Sequence, residues 1–256
     1  MSVTLDLSGQ VVLVTGGVRG VGLGITRTFV RADARVVTCS RTPPEAPSVV
    51  EGSSHVVADV RDPEAVARLV EGIVAEHGRL DVLVNNAGGA PYSLAADGSP
   101  SFHTKVVDLN LLSPLLVSQA ANEVMQTQDE GGSIVMISSI SATRPSPGTA
   151  AYGAAKAGVD SLVRSLAVEW APRVRVNSID VGLVRTERSD LHYGGAEGAA
   201  AIEATIPLGR FASPDEIGAV ALFLASPLAS YVSGATLAAH GGGEPPPFLA
   251  AAKEHP

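Results

Sequence analysis

Tyr152 and Lys156 stand four residues apart in Ala151-Tyr152-Gly153-Ala154-Ala155-Lys156. On a helix that spacing puts both side chains on one face. A free phenol holds its proton up to a pKa of about 10. Acid–base work near neutral pH therefore needs an adjacent positive charge that favours the phenolate, and the Lys156 ammonium supplies one. The same two residues four apart also describe any exposed helical pair, so the surroundings decide their weight.

A second chemical signal lies near the N-terminus, in Thr15-Gly16-Gly17-Val18-Arg19-Gly20-Val21-Gly22, between an apolar run and a helical pattern. Glycines at 16, 20 and 22 let the chain turn sharply and let a pyrophosphate approach the amides of Gly20, Val21 and Gly22 at a helix N-terminus. A tight strand-to-helix turn without a ligand is the alternative. The next β-branched run ends in Cys39-Ser40-Arg41, where a binder of NAD usually places a carboxylate for the ribose hydroxyls. No acid stands there. Arg41, Arg19 and Ser40 suit a 2′-phosphate, which guanidinium groups recognise well, so the expected cofactor is NADP, with NADPH preferred over NADH. Two solvated surface arginines are the plain alternative. An oxidised nicotinamide beside Tyr152 would add a second positive charge to that of Lys156.

The elements that must carry these groups are short strands alternating with longer helices. Residues 11–14, 35–38, 55–58, 80–84, 133–137, 174–177 and 236–238 read as strands, mostly continuous apolar runs, as in a parallel sheet covered on both faces. Helical patterns fill 20–30, 62–77, 100–128, 152–171 and 214–225. The last opens with Ser213-Pro214-Asp215-Glu216, a capping-box signature. The expected fold is α/β: one doubly wound, Rossmann-type parallel sheet of about seven strands, forming a single domain over residues 1–256. Pro43, Pro44 and Pro47 bar a long regular helix from the crossover after Arg41. Residues 183–205 show no amphipathic period and read as a substrate lid, and the tail from 244 to 256 has no evident partner.

The 256 residues carry 18 Lys+Arg against 26 Asp+Glu, a net charge of −8 that disfavours binding to a phosphate backbone. One cysteine excludes a disulfide framework, and the six histidines show no metal-binding spacing. Neither a signal-like start nor a membrane-length apolar run is present. The expectation is a soluble, cytoplasmic protein with no metal, no nucleic-acid partner and no membrane partner.

Three further signatures complete a pattern. Ser138-Ser139 ends a strand thirteen residues before Tyr152, Asn85-Asn86-Ala87-Gly88 ends another, and Asn110 lies in the helical pattern beyond it. In order and spacing, over about residues 5–243, these motifs resemble the short-chain dehydrogenase/reductase family. The resemblance implies an oxidoreductase that moves a hydride between NADP(H) and a carbonyl or secondary alcohol. It implies that Tyr152 exchanges a proton with the substrate oxygen, that Ser139 hydrogen-bonds that oxygen, and that Lys156 lowers the tyrosine pKa and grips the nicotinamide ribose. Asn110 would hold a water linking Lys156 to solvent. Pro114 has no N–H for the Asn110 carbonyl, which suits a water acceptor and equally a plain kink. Asp59 matches the position that binds the adenine amine, with Val60 beside it. Asn86, Ala87 and Gly88 would pack along the cofactor, and Val184 and Thr186 would meet the nicotinamide carboxamide. Family members are usually tetramers or dimers, so a homo-oligomer is expected. Three departures stand out: Val181-Gly182 replaces the usual Pro-Gly, the proline-rich crossover after Arg41 replaces the usual helix, and His240 stands where an acid is common.

The pocket should draw on residues 140–148, 89–94 and 183–205. These supply Tyr92, Leu94, Pro145, Pro147, Leu183, Leu191 and Tyr193, with Arg144, Arg185, Arg188 and His192 able to reach an anion. An apolar small-molecule ketone or secondary alcohol is the expected substrate. Two alternatives are weighed. A 3-oxoacyl-[acyl-carrier-protein] reductase needs a basic patch for its acidic partner, and Gln126-Thr127-Gln128-Asp129-Glu130 argues against it while Arg173 and Arg175 keep it open. A non-catalytic dinucleotide-binding sensor would keep the fold without the chemistry.

Overall fold

The computed structural model describes residues 5–44, 50–187, 189, 195–246 and 248. Seven strands run parallel: β1 (Val11–Thr15), β2 (Arg35–Ser40), β3 (Ser53–Val57), β4 (Val82–Asn85), β5 (Gly132–Ile137), β6 (Val174–Val181) and β7 (Thr236–Ala239). They form one sheet in the order β3-β2-β1-β4-β5-β6-β7. Strand order reverses between β1 and β4, and in doubly wound sheets the crevice at such a reversal, beyond the carboxyl ends of the strands, is where ligands bind.

Seven α-helices are described: α1 (Gly20–Arg31), α2 (Pro63–His77), α3 (Pro100–Val107), α4 (Ser113–Met125), α5 (Ala150–Glu169), α6 (Gly195–Glu203) and α7 (Pro214–Ala225). They cover both faces of the sheet, which explains the unbroken apolar runs in the strands. On one face Leu13, Leu83, Ile134 and Val176 pack with Leu69, Val117 and Val163 of α2, α4 and α5. On the other, Val12, Val84, Val135 and Ile179 pack with Ile25 and Phe29 of α1 and Ile217 and Leu224 of α7. Each such side chain stabilises the fold by about 1.5–3 kcal/mol when fully buried. Asp215 ties α7 to α1 through ion pairs with Arg27 and Arg31.

The capping box forms: Glu216 N–H donates to Ser213 Oγ at 3.3 Å and Ser213 N–H donates to Glu216 Oε2 at 2.8 Å. Elsewhere the structure departs from the sequence expectation for identifiable reasons. β6 runs to Val181 rather than Asn177, because polar residues that interrupt its apolar run find partners inside. Asn177 Nδ2 donates to the Val232 carbonyl at 2.8 Å and Ser178 Oγ donates to Asp160 at 3.0 Å. The helix expected over 100–128 is split by a π-turn over Asp108–Leu112, closed by Ser113 N–H donating to the Asp108 carbonyl. Within 183–205 the chain forms α6, an alanine-rich helix whose propensity needs no amphipathic stripe; Ala199 packs there with Ile206 and Phe211. The described residues of the proline-rich crossover hold no helix, and Pro47 lies outside them. The tail does find a partner, since Glu244 pairs with Arg144.

Candidate active site

Tyr152 and Lys156 occupy the first two turns of α5, and Ser139 leaves the end of β5 in extended conformation. Ser139 Oγ accepts from Ser141 N–H at 3.2 Å, starting a short 3₁₀ turn over Ile140–Ala142. Lys156 Nζ lies 5.6 Å from the centre of the Tyr152 ring and donates to the Ile137 carbonyl at 2.8 Å. That contact uses one of three ammonium donors.

Burial dominates the electrostatics. Burial raises the Tyr152 phenol above its ordinary value, and hydrogen bonding with Ser139 pulls it back down. Lys156, 3% exposed, is lowered to about 8 by burial, while the Asp160 carboxylate one turn further along α5 supports its charge. Burial thus favours the neutral form of each group, the phenol with its proton and the amine without, and moves their proton affinities apart.

Asn110 sits at the middle of the π-turn and is fully buried. Its side-chain amide donates to the carbonyls of Val106 at 2.8 Å and Gly89 at 3.0 Å, and accepts from Gly89 N–H at 2.8 Å. The side chain thus holds the loop after β4. A Cβ on Gly88 would lie 2.7 Å from Asn110 Oδ1 and 3.5 Å from Lys156 Nζ. Only glycine lets that loop pass so close to both.

The glycine turn faces the same crevice. Gly16 and Gly20 adopt φ of +66° and +51°, the left-handed region, and a Cβ on Gly22 would collide with the Gly16 carbonyl and the Asn86 amide. Asn86 Nδ2 donates to the carbonyls of Thr15 and Gly16 at 3.0 and 3.2 Å, while the N–H groups of Asn86 and Ala87 both donate to Thr15 Oγ1 at 3.0 Å. These bonds brace the ends of β1 and β4 together. Both carboxylate oxygens of Glu187 lie 3.2 Å from Gly20 N, at the start of α1. An anion from the chain itself therefore stands where a pyrophosphate would dock, and the cradle fits the phosphates of a nicotinamide dinucleotide. Thr186, whose methyl would lie 3.6 Å from a Cβ on Gly20, brings the loop after β6 onto the turn. Val184 is buried and bridges to Ala212.

At the other end, Ser40 Oγ donates to the Thr42 carbonyl at 2.8 Å. Arg41 is exposed and close enough to Asp59 to help lower its pKa. Asp59 is held chiefly by Arg61 through two side-chain bonds of 2.9 and 2.6 Å, which leaves lone pairs of the carboxylate for a further donor. Val60 is buried in the core, and Arg19, the exposed residue before α1, offers no side-chain cap to it.

On the substrate side Tyr92 and Leu94 are exposed, and the Tyr92 ring covers Gly148. Arg185 is taken up by Glu203 at 2.9 Å and stacks on Phe211, as Arg144 is by Glu244. Arg188, Leu191, His192 and Tyr193 lie outside the described residues. A separate hollow of about 290 Å³ between Leu183, Ile206, Ala239 and His240 does not include Tyr152 among its walls. The sequence reading missed Glu187, Arg61, Asp160 and Asp180. Asp160 alone had a signal, its four-residue spacing from Lys156. Asp180 is buried with one oxygen unpartnered, and burial together with Asp160 raises it to about 6.

The family model described as "Enoyl-(Acyl carrier protein) reductase" matches residues 16–244. D-threitol dehydrogenase of Mycolicibacterium smegmatis is 36% identical over 252 residues, covering 94% of this chain and 96% of that protein. Dehydrogenase/reductase SDR family member 4 of Homo sapiens is 34% identical, covering 92% of this chain and 88% of that one. Among solved structures, ligand-free aldohexose dehydrogenase of Thermoplasma acidophilum superposes with a TM-score of 0.89 at 28% identity, over 99% of this chain and all of that one, 100%. Matched over nearly its whole length in sequence and in shape, the chain belongs to the short-chain dehydrogenase/reductase family, oxidoreductases that work with nicotinamide dinucleotide cofactors.

Proposed function

We propose that this protein is an NADP(H)-dependent carbonyl reductase or alcohol dehydrogenase, with Tyr152 as general acid/base. The observation that carries the reading is Tyr152 and Lys156 on adjacent turns of α5, with Ser139 in hydrogen-bonding reach of the phenol. When bound, the nicotinamide supplies or accepts the hydride. Ser139 holds the substrate oxygen and stabilises the charge that grows on it. Tyr152 donates its proton to that oxygen in reduction and takes it back in oxidation. Lys156 holds the phenol acidic and grips the ribose with its remaining donors, and the Asn110 carbonyl holds a water that returns protons from solvent. Gly16, Gly20, Val21 and Gly22 receive the pyrophosphate, Arg19, Ser40 and Arg41 the 2′-phosphate, and Asp59 with Val60 the adenine. Asn86 to Gly88 line the cofactor, with Val184 and Thr186 at the carboxamide.

The substrate is a small carbonyl or secondary alcohol, received by one domain whose 183–205 segment closes over it. An apolar substrate suits Pro91, which lines a small hollow with Tyr152, and the exposed Tyr92 and Leu94. The names of D-threitol dehydrogenase and aldohexose dehydrogenase favour a second reading, a polyol or sugar. The acyl-carrier reading keeps one exposed cation, Arg173, which donates to the Gln128 carbonyl, whereas Arg175 is turned inward and donates to the carbonyls of Leu224, Ala225 and Val232. A homodimer or homotetramer through α4 and α5 is part of the proposal, supported by Leu112 and Val168 at 52% and 79% exposure. A cytoplasmic location, where the NADP(H) pool is available, belongs to it too. Among the described residues no helix is long and apolar enough to cross a membrane.

The test is a panel of apolar ketones, secondary alcohols, polyols and aldoses with each cofactor. Tyr152→Phe should abolish turnover while the cofactor still binds, and retained turnover rejects the role of the tyrosine. Arg41→Ala should narrow the gap between NADPH and NADH affinity by roughly tenfold, the worth of one charge-assisted contact. Equal affinity in the unaltered protein rejects the reading of a 2′-phosphate.

A further inference from the structure

We infer that His55 on β3 is a specificity-determining residue of the cofactor site, an imidazolium that orients Ser40 and adds a positive charge to the seat of the 2′-phosphate. The inference rests on the NADP(H) reading above and deepens it.

Proton counting carries the argument. Thr38 Oγ1 donates to the Ser54 carbonyl at 3.0 Å, and Ser40 Oγ donates to the Thr42 carbonyl at 2.8 Å. A hydroxyl has one proton, so both are spent. Yet Thr38 Oγ1 also lies 2.9 Å from His55 Nδ1, and Ser40 Oγ lies 3.1 Å from His55 Nε2. With the protons so placed, both ring nitrogens donate; a neutral imidazole instead draws one hydroxyl proton away from its carbonyl. A neutral imidazole carries one N–H, an imidazolium two. All four contacts are satisfied at once only by the cation.

Among the described residues nothing nearby balances that charge. Against His55 stand Thr38 and Ser40 of β2 and Ser54 of its own strand, with the cation Arg41 just beyond the end of β2. Asp59, past the end of β3, is already gripped by Arg61. Burial holds the imidazole below its ordinary value, and no carboxylate among the described residues offsets this. With the hydroxyl protons on their carbonyls the network suits a cation, and the described residues supply it no anion. A dianionic phosphate on Ser40 and Arg41 supplies one, raising the imidazole pKa as it binds. The cofactor without that phosphate supplies none.

The test compares affinities of the full-length protein for NADPH and NADH from about pH 6.5 to about pH 8.5, where the 2′-phosphate is mainly a dianion. Arg41, Arg19 and Arg61 keep their charge throughout that range. Lys156 titrates within it but faces the part common to both cofactors, so its effect cancels in their ratio. The ratio favouring NADPH should fall as pH rises, by about tenfold for each unit by which the phosphate raises the imidazole pKa. In His55→Gln the ratio should stay flat at the high-pH level, with NADH affinity unchanged. A preference for NADPH that ignores pH, or one that keeps its pH dependence in His55→Gln, overturns the inference and leaves the cofactor reading standing. No preference for NADPH at any pH overturns both. Should the variant fail to bind NADH, the unaltered protein decides by an NMR titration of the imidazole. Adenosine 2′-monophosphate should raise its pKa and adenosine should not, and equal behaviour overturns the inference.

Discussion

Around Tyr152, Lys156 is 3% exposed and Asp160 and Asp180 are 7% and 5% exposed, whereas the side chains of Asp59 and Arg61 near Ser40 keep 29% and 27%. The consequence is opposite. Buried groups are pushed toward neutrality, Lys156 down to about 8 and Asp180 up to about 6. The half-exposed pair is pushed away from it, Asp59 down and Arg61 up, each by its partner. One end of the crevice can exchange protons near physiological pH. The other holds Asp59 and Arg61 charged throughout that range, which is what a phosphate or a purine amine needs. The difference comes from depth in the fold: α5 and β6 lie inside the sheet stack, while β3 is its edge strand.

The sharpest way to break that contrast is to remove the buried ammonium. Lys156→Met keeps the volume and deletes the charge, so turnover should drop by about 10³-fold, within the range of a lost acid–base contribution. Arg61→Met removes a cation from the other end and should change turnover by no more than about twofold, since half-exposed pairs contribute little. Steady-state rates of both variants at saturating cofactor check this. Similar losses in the two would mean that the ends do not differ in kind.

A finer test works through a neighbour. The Asp160 carboxylate raises the pKa of Lys156 against the effect of burial. In Asp160→Asn that support goes, the lysine gives up its proton at lower pH, and activity that needs the ammonium should fade earlier on the alkaline side. The pH profile of kcat, with its alkaline limb near pH 8 in the unaltered protein, should therefore shift downward in the variant. A limb that stays in place shows that Lys156 does not feel Asp160.

Much of this contrast is legible in the sequence, though unevenly. The sheet could be read because helices cover both faces and leave unbroken apolar runs such as Val11–Val14, and α7 because Ser213, Pro214 and Glu216 cap it. Tyr152 and Lys156 could be paired because four-residue spacing is itself geometry. What failed was long-range or cancelled locally. The π-turn at Asn110 depends on how the chain beyond α3 meets Gly89, which no local pattern encodes. α6 hides because alanine and glycine give no stripe. Asp59 and Arg61 were two residues apart in plain view, yet their pairing required knowing that both side chains fold back over the end of β3. Glu187 was invisible because its partner, Gly20, is 167 residues away.

Glu187 gives the smallest expected effect, and it bears on whether the crevice is preset for an anion. Its carboxylate sits on the N–H that a pyrophosphate oxygen would use, so cofactor binding has to displace it. The contact is exposed to solvent and weak for a charged hydrogen bond. Its loss therefore costs a bound cofactor little. Glu187→Gln keeps the shape, removes the charge and should tighten both NADPH and NADH by roughly two- to fivefold, equally, because the pyrophosphate is common to them. The gain should shrink as salt rises, since exposed charges are screened over about 10 Å at 0.1 M ionic strength. Titrations of both cofactors at low and high salt decide it. Weaker binding in the variant would mean that the carboxylate moves aside and helps hold the cofactor through another contact, making it part of the site rather than its competitor.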